Sequence, residues 1–190
     1  MKNPGKLLER KLNSRPVFSG RLLHVYKDTV ELPNGEKTTR EYIKHPGATA
    51  VLPVYQNGDV MLIKQFRYPL SQIFYEVPAG KIDAGEDPET TGIRELKEET
   101  GLVCNHLTYI GHFYPSIGYT DEIIHLYIAW SIEEKENNTD DDEFLIPVRI
   151  PFKETIQMVH RGEISDGKSI ICLLRAWDWW EKNNPTYSSK

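Results

Sequence analysis

The first quarter of the chain alternates apolar and polar residues over short stretches, a pattern that predicts strands rather than helices. Residues 1–16 are polar and basic, and we expect them to form a loose lead-in to the first strand. Residues 33–36 predict a hairpin turn, because their Asn-Gly pair tolerates the positive φ that a tight turn needs. Strands are predicted at residues 17–18, 22–26, 29–32 and 40–44. Such a small segment is not stable alone, so it must pack on the rest of the chain or on a second subunit.

Longer apolar runs and amphipathic stretches follow the breaker His45-Pro46-Gly47, where we place a boundary. This boundary divides the chain into an N-terminal β-segment, residues 1–46, and a larger domain, residues 47–190. In the larger domain, strands are predicted at 48–55, 60–65, 74–77, 106–113 and 123–132, and helices at 88–100, 152–161 and 169–181. The mixture of hairpins and helices predicts an α+β fold.

The helix predicted at 88–100 has the clearest ends. Asp87 is a typical N-cap, Pro88 takes the first helical position and Gly101 follows the last one. The later stretch 133–143 is polar and acidic, and we interpret it as a solvated loop.

Composition narrows the classes of function. The 190 residues include 23 Lys and Arg against 28 Asp and Glu, a net charge of −5. A mildly acidic chain is a poor general binder of nucleic acid or anionic membrane, although local cations or metal ions can still bind a phosphate. Two cysteines do not make a disulfide framework, and no apolar run reaches the length of a signal peptide or a membrane span. We therefore expect a cytoplasmic protein whose partners are neither nucleic acid nor membrane.

Three glutamates on the helix predicted at 88–100 carry the first sign of chemistry. Glu95, Glu98 and Glu99 follow the spacing i, i+3 and i+4, so their carboxylates lie on one face of the helix. Glu86, just before the helix, can add a fourth. Glu-rich helices are more often simply solvated, but divalent cations also relieve such crowding, and ligands that are all oxygen suit Mg²⁺ and Mn²⁺. Mg²⁺ bound in this way indicates phosphate ester or phosphoanhydride chemistry.

The whole segment from Gly80 to Leu102 resembles the Nudix box, G-x5-E-x7-R-E-U-x-E-E-x-G-U, in which U is a bulky aliphatic residue. Every defined position is filled, by Gly80, Glu86, Arg94, Glu95, Leu96, Glu98, Glu99, Gly101 and Leu102. The resemblance implies a Nudix α/β/α sandwich and Mg²⁺-dependent hydrolysis of a nucleoside diphosphate linked to a further group. It also implies that Arg94 braces a glutamate, with Glu86 the expected partner, through a charge-assisted hydrogen bond.

The same resemblance implies the metal ligands. Glu95 and Glu99 are similar to the principal ligands of Nudix enzymes, one helical turn apart. Glu98 resembles a further ligand or a carboxylate that orients water, and the backbone carbonyl of Ala79, just before the box, resembles another ligand. The expected cofactor is Mg²⁺, with Mn²⁺ as an alternative.

A second segment, YPSIGYTDE at residues 114–122, resembles the proline-containing catalytic loop of ADP-ribose pyrophosphatases. Glu122 matches the acidic residue that positions or deprotonates the attacking water in those enzymes, and Asp121 competes for that role. The alternative interpretation is a turn before a strand, since Pro, Ser, Gly and Asp favour turns. Tyr119 in this loop and Tyr26 in the N-terminal segment are candidates for stacking on the nucleobase.

The N-terminal segment resembles the sheet through which ADP-ribose pyrophosphatases form a domain-swapped homodimer. Arg40 and Glu41 match a pair that helps to hold the substrate from the partner subunit, and Arg67 resembles a family arginine near the phosphates. For each arginine the alternative is an ordinary surface salt bridge, although a guanidinium suits bidentate contact with phosphate. The later stretch 162–168, GEISDGK, also resembles these enzymes, and we assign it no catalytic role.

These resemblances predict hydrolysis of ADP-ribose to AMP and ribose 5-phosphate. An alternative is hydrolysis of GDP-mannose or another nucleoside diphosphate sugar, because the Ile117-Gly118-Tyr119 stretch departs from the Pro-Gly-Gly-like loops of some ADP-ribose enzymes. A sensor that binds ADP-ribose without cleaving it is less consistent with an intact box.

Overall fold

The computed structural model describes residues 4–134 and 144–183. These residues form two compact units. One contains the chain up to Pro46 together with the segment Ser116–Glu122, and the other contains Gly47–Pro115 and the chain from Ile123 onward.

The N-terminal unit is built on a three-stranded antiparallel sheet, whose strands lie in chain order. The strands are β1 (Arg10–Ser19), β2 (His24–Glu31) and β3 (Lys37–Lys44). The hairpin predicted at 33–36 joins β2 to β3, and Gly35 there has a φ of +87°. The antiparallel segment expected from the sequence is therefore present.

The expectation of a loose lead-in over residues 1–16 is wrong for much of its length. Arg10 pairs with Glu31 and Pro16 pairs with Tyr26, so this stretch belongs to β1. Every residue of β1 is exposed in the chain. A strand with neither face buried has no need of apolar alternation, and that is why the sequence pattern does not reveal it.

The second unit contains two sheets within the described residues. The first is a mixed sheet with the order β7-β4-β9-β8, in which β4 and β9 are parallel. Its strands are β4 (Ala48–Pro53), β7 (Ala79–Lys81), β8 (Leu102–Phe113) and β9 (Ile124–Glu134). The other is antiparallel with the order β10-β5-β6, built from β5 (Asp59–Arg67), β6 (Gln72–Glu76) and β10 (Leu145–Pro151).

The helices of this unit are α1 (Pro88–Thr100), α2 (Phe152–His160) and α3 (Gly167–Asn183). The bounds of α1 confirm the prediction at both ends. Asp87 accepts a hydrogen bond from the backbone N–H of Thr90 at 2.9 Å, and Gly101 ends the helix with a φ of +71°. None of the helices in the described part of the chain is long and apolar enough to cross a bilayer.

Period-2 alternation along β4 separates the core into two layers. Leu52 faces one way and packs in a cluster with Leu173 of α3, whereas Val51 faces the other way and packs with Leu96 of α1. The two helices therefore cover opposite faces of the mixed sheet. This layering confirms the predicted α+β sandwich and places α1 beside the short strand β7.

Strand β10 was not expected from the sequence, which predicts no element between 143 and 152. Pro147 and Pro151 lie within it, and β10 is an edge strand, where proline is tolerated because one side of the backbone needs no partner. Glu133 and Glu134, at the start of the predicted acidic loop, instead end β9. The rest of that predicted loop, residues 135–143, lies outside the described residues.

Candidate active site

Arg94 lies at the centre of the carboxylates of α1. Its Nε and Nη2 atoms donate to the two oxygens of Glu86, each at 3.0 Å, which is the contact expected from the sequence. Its Nη1 atom donates to Glu95 at 2.7 Å and to Glu98 at 2.8 Å. One guanidinium thus holds three glutamates together, and these hydrogen bonds, foremost those to Glu86, raise the pKa of Arg94 above its usual value.

Glu86 is held ionised by the same contacts. Hydrogen bonds from Arg94, and then from the Thr91 hydroxyl at 2.8 Å, lower the pKa of Glu86 to about 2. Thr91 lies on the buried side of α1. The carboxylate at the beginning of the box is therefore an anchor for the arginine throughout the physiological pH range.

The two glutamates expected to be the principal metal ligands lie against β7. The side chain of Glu99 is nearly buried, and its Oε2 accepts a hydrogen bond from the backbone N–H of Ala79 at 2.8 Å. The carboxylate of Glu95 lies over Gly80, so close that a Cβ atom at Gly80 would be 1.8 Å from Glu95 Oε1. The glycine of the box is required here by close approach of a carboxylate.

The donor atoms of this cluster suit a hard divalent cation, since they are carboxylate and backbone oxygens. In the present arrangement no three acidic, histidine or cysteine side chains of residues 4–134 and 144–183 converge as a ready-made metal cage. Arg94 Nη1 already provides a positive charge between Glu95 and Glu98. The chemistry and number of the oxygens therefore fit a metal ion. The present positions of the Glu95 and Glu98 side chains, however, are those set by their hydrogen bonds to Arg94.

The loop that contains Glu122 is attached to strand β3 within the N-terminal unit. The backbone N–H of Ile43 donates to Tyr119 O at 2.8 Å, and the N–H of Asp121 donates to Ile43 O at 3.3 Å. The Asp121 carboxylate accepts the backbone N–H of His45 at 2.8 Å. Glu122 Oε1 lies 3.6 Å from His45 Nδ1, beyond hydrogen-bond length. Asp121 therefore holds the loop through a side-chain hydrogen bond, whereas the contact between the Glu122 carboxylate and His45 is longer.

The predicted substrate residues of the N-terminal unit have local partners. Arg40 pairs with Glu9, its Nε lying 3.0 Å from Oε2. Glu41 accepts a hydrogen bond from Lys27 at 2.8 Å, which lowers the pKa of Glu41. Arg40 and Glu41 are consecutive on β3, so their side chains leave opposite faces of the strand.

The aromatic candidates differ in their surroundings. The ring of Tyr26 stacks on that of Tyr42, with centroids 5.8 Å apart. Tyr119 is exposed on the loop. Tyr26 is thus already part of an aromatic pair, whereas the face of Tyr119 is open to a ligand.

Arg67 belongs to a charged cluster that sequence reasoning missed. Its Nε and Nη2 atoms each donate to Glu76 at 2.7 Å. Glu76 is also in contact with Lys168, which in turn contacts Asp166 at 2.9 Å. The sequence signals are separate: Arg67 and the stretch 162–168 each resemble the family, and one glutamate ends the apolar stretch 73–76, a position where an ionised group needs a partner.

Comparisons with known proteins agree with this geometry. Residues 44–171 match the NUDIX domain family model, and residues 9–43 match the nucleoside diphosphate sugar hydrolase N-terminal domain. The chain is 42% identical over 169 residues to the ADP-ribose pyrophosphatase of Bacillus subtilis, covering 88% of this chain and 91% of that protein. It is 41% identical over 172 residues to the methanol dehydrogenase activator of Bacillus methanolicus, covering 89% of this chain and 93% of that protein.

A solved structure described as an ADP compounds hydrolase has the same fold. It superimposes with a TM-score of 0.83 over 94% of this chain and 97% of the other, at 23% sequence identity. Since the box is complete from Gly80 to Leu102 and the family model matches residues 44–171, the chain belongs to the Nudix family.

Proposed function

We propose that this Nudix protein is a metal-dependent pyrophosphohydrolase whose substrate is ADP-ribose and whose products are AMP and ribose 5-phosphate. The observation that carries the proposal is the intact set of carboxylates on α1, with Glu99 fixed to the N–H of Ala79 and Glu95 lying over Gly80. The 42% identical ADP-ribose pyrophosphatase supports this choice of substrate.

We propose Mg²⁺ as the cofactor, with Mn²⁺ as a substitute. The residues that would hold it are Glu95, Glu98 and Glu99 together with the backbone carbonyl of Ala79. Bound there, the ion supplies a Lewis acid for the pyrophosphate and lowers the pKa of a bound water. Arg94 holds Glu95 and Glu98 on one side of α1, and its two hydrogen bonds to Glu86 fix the position of the guanidinium.

Glu122 is our candidate for the carboxylate that orients or deprotonates the attacking water. The Oδ1 atom of its competitor, Asp121, accepts a hydrogen bond from the backbone N–H of His45, and that bond holds the loop. The Glu122 carboxylate lies farther from its neighbour, with Oε1 3.6 Å from the imidazole Nδ1 of His45. A base must be able to accept a proton, so the less engaged carboxylate suits the role.

For the substrate we propose contacts from both regions of the chain. Residues 1–46 would serve dimerisation, as a swapped sheet in a homodimer, and substrate binding, and residues 47–190 would form the hydrolase domain. Arg67 would bind phosphate, since a guanidinium forms bidentate hydrogen bonds with it. Arg40, Glu41, Tyr26 and Tyr119 are the further binding candidates, with Tyr119 the more accessible of the tyrosines.

A competition assay tests this proposal. Equimolar ADP-ribose, GDP-mannose, ADP-glucose and NADH are incubated with the protein and Mg²⁺, and the products are identified by mass. Selective loss of ADP-ribose with release of AMP is expected, and Glu99→Gln should abolish it. Preferential loss of GDP-mannose would show that the substrate is a different nucleoside diphosphate sugar, cleaved by the same chemistry. Binding of ADP-ribose without turnover would favour a sensor that binds ADP-ribose and does not cleave it.

A second function is favoured by the 41% identical relative that is named as an activator of methanol dehydrogenase. We propose that this chain can likewise raise the activity of such a dehydrogenase. The test measures methanol oxidation by a methanol dehydrogenase with the wild-type chain, with Glu99→Gln and without either. Activation by the wild type alone would link the effect to hydrolysis, and equal rates in all three reactions would remove this second function.

A further inference from the structure

Glu76 is a buried carboxylate whose charge is balanced by two cations. Only 3% of its side chain is exposed. Arg67 donates to both of its oxygens at 2.7 Å, and Lys168 contacts Oε2. Burial alone would raise the pKa of Glu76, but the hydrogen bonds from Arg67 and the charge of Lys168 outweigh burial and lower it. The carboxylate is therefore ionised, and it fixes the plane of the Arg67 guanidinium from one side.

Arg67 itself reaches the surface. Its side chain is 42% exposed, in contrast to its partner, and it lines an open cavity of about 330 Å³ together with Leu70, Phe74 and residues 165–168. Within the part of the chain that the structure describes, its Nη1 donates to no protein atom. The inner edge of the guanidinium is thus occupied by Glu76, and donors remain for a ligand in the cavity.

Lys168 is held in place by the beginning of α3. Its ammonium contacts Asp166 at 2.9 Å as well as Glu76, and its side chain is only 14% exposed. Asp166 also accepts the Ser169 hydroxyl at 2.6 Å and the Ser169 backbone N–H at 3.1 Å. Asp166 therefore acts as a cap for α3 and fixes the direction from which Lys168 approaches Glu76.

Ser169 links the beginning of α3 to the residues just before the Nudix box. Its buried hydroxyl accepts the backbone N–H of Val77 at 2.8 Å, the residue after Glu76. Two residues later the N–H of Ala79 binds Glu99. The start of α3 is therefore joined to β6 twice, through Lys168 and through Ser169, at the point where the chain enters the box.

The turn formed by Asp166, Gly167 and Lys168 borders a second cavity as well. This cavity, of about 370 Å³, is also lined by Tyr114 and Pro115, which begin the loop that leads to residue 116. One short turn thus contributes to the walls of both cavities, and it comes from the GEISDGK stretch that had no role in the sequence analysis.

We propose that Lys168 is a positioning residue for substrate binding: by sharing the buried Glu76 carboxylate with Arg67, it sets the orientation in which Arg67 presents its free donors to a phosphate of the nucleoside diphosphate substrate. This inference rests on the proposed function, which gives Arg67 a phosphate to bind. A purely structural ion pair at the same place would affect stability without changing substrate affinity through Arg67.

A double-mutant cycle separates these two roles. The variants are Lys168→Met, Arg67→Ala and their combination, with Lys153→Met on the exposed side of α2 as the matched control. Lys168→Met should raise KM for ADP-ribose about tenfold and change kcat by less than about threefold, because ground-state binding is lost and the carboxylates of α1 are untouched. In the Arg67→Ala background the same change should alter KM by less than about twofold.

The controls decide between the explanations. Lys168→Arg should restore most of the affinity, since it retains a cation beside Glu76, and Lys153→Met should behave as wild type. The proposal would be overturned if the KM increase in the double variant equals the product of the increases in the two single variants. An unchanged KM in a folded Lys168→Met variant would also overturn it. Should Lys168→Met fail to fold, the comparison of Lys168→Arg in the two Arg67 backgrounds tests the same coupling.

Calorimetric binding of ADP-ribose, without turnover, gives the cycle a second readout. If the wild-type protein binds ADP-ribose without hydrolysing it, and Arg67 and Lys168 are still coupled, the proposed function is refuted and the role of Lys168 is retained. A wild type that hydrolyses ADP-ribose while the two residues act independently would refute only the role of Lys168. Absence of both binding and hydrolysis would overturn both.

Discussion

Gly80→Ala is the sharpest test of the carboxylate arrangement on α1. An added Cβ would lie 1.8 Å from Glu95 Oε1, 2.0 Å from its Cδ and 2.5 Å from its Oε2. Favourable non-bonded separations are about 3.5–4.0 Å, so the carboxylate must retreat by at least about 1.5 Å. That displacement breaks the 2.7 Å contact between Glu95 and Arg94. Gly80 is not among the glycines with positive φ, so the clash acts through the side chain and not through backbone strain.

The expected result is a loss of activity with little loss of stability. Misplacement of a reacting or metal-binding group by about 1 Å costs on the order of 100-fold in rate, and we expect kcat/KM to fall by at least that much. The Mg²⁺ concentration for half activity should rise. Because the clash falls on the flexible end of the Glu95 side chain, which can move away without displacing the backbone, Tm should change by only a few degrees.

Gly92→Ala on the same helix is the matched control. There a Cβ would meet two buried methyl groups of the sheet, Val51 Cγ2 at 2.9 Å and Thr49 Cγ2 at 3.0 Å. Overpacking of this kind costs about 1–3 kcal/mol, so Gly92→Ala should lower Tm and leave kcat/KM of the folded enzyme near wild type. Gly80→Ala with wild-type kcat/KM and Mg²⁺ dependence would refute the reasoning. If that variant does not fold, Glu95→Gln tests the same ligand without a steric change.

Four further variants test other parts of the molecule. Glu99→Gln should reduce turnover more than ten-thousandfold (about 5 kcal/mol or more of barrier) and weaken metal binding, measured by steady-state kinetics and calorimetry; near-normal turnover would exclude Glu99 from the mechanism. Glu122→Gln should lower kcat with metal affinity retained, whereas Asp121→Asn should chiefly lower Tm, because Asp121 holds the loop; the reverse pattern would assign the base to Asp121. Since the pKa of Glu76 is lowered from 4.5 on folding, its ionisation stabilises the fold above about pH 4.5 and this contribution disappears as pH falls further. The Tm difference between wild type and Glu76→Gln should therefore shrink from pH 7 to pH 3, and a difference independent of pH would contradict the assignment.

The parts of the molecule that the sequence predicts well are those encoded by neighbouring residues. Helix α1 is an example, since its cap Asp87, its first residue Pro88 and its final Gly101 all lie within the element or next to it. Short-range signals of this kind need no knowledge of the tertiary fold. The contact between Arg94 and Glu86, eight residues apart, was expected from the resemblance to the Nudix box.

The parts that escaped prediction depend on residues far apart in the sequence. Glu76 and Lys168 are separated by 92 residues, and nothing near either one indicates the other. Strand β1 depends on pairing with β2 and has no apolar face to reveal it. The sequence names Glu122 with Asp121 as its competitor, and the contact that supports the proposal of Glu122 comes from His45, 76 residues from Asp121, whose backbone N–H donates to the Asp121 carboxylate.

The contacts of Arg94 also explain how one arginine can serve a site that must accept a metal. Three carboxylates, those of Glu86, Glu95 and Glu98, accept hydrogen bonds from a single guanidinium, so one positive charge faces three negative charges when all are ionised. Glu86 takes two of the nitrogens of Arg94, while Glu95 and Glu98 share the third. A divalent cation held by Glu95 and Glu98 would therefore compete with one shared nitrogen of Arg94 for their oxygens, while both hydrogen bonds between Arg94 and Glu86 could be kept. Replacing Glu86 by Gln should consequently free Arg94 to compete more strongly for Glu95 and Glu98, so that half-maximal activity requires more Mg²⁺.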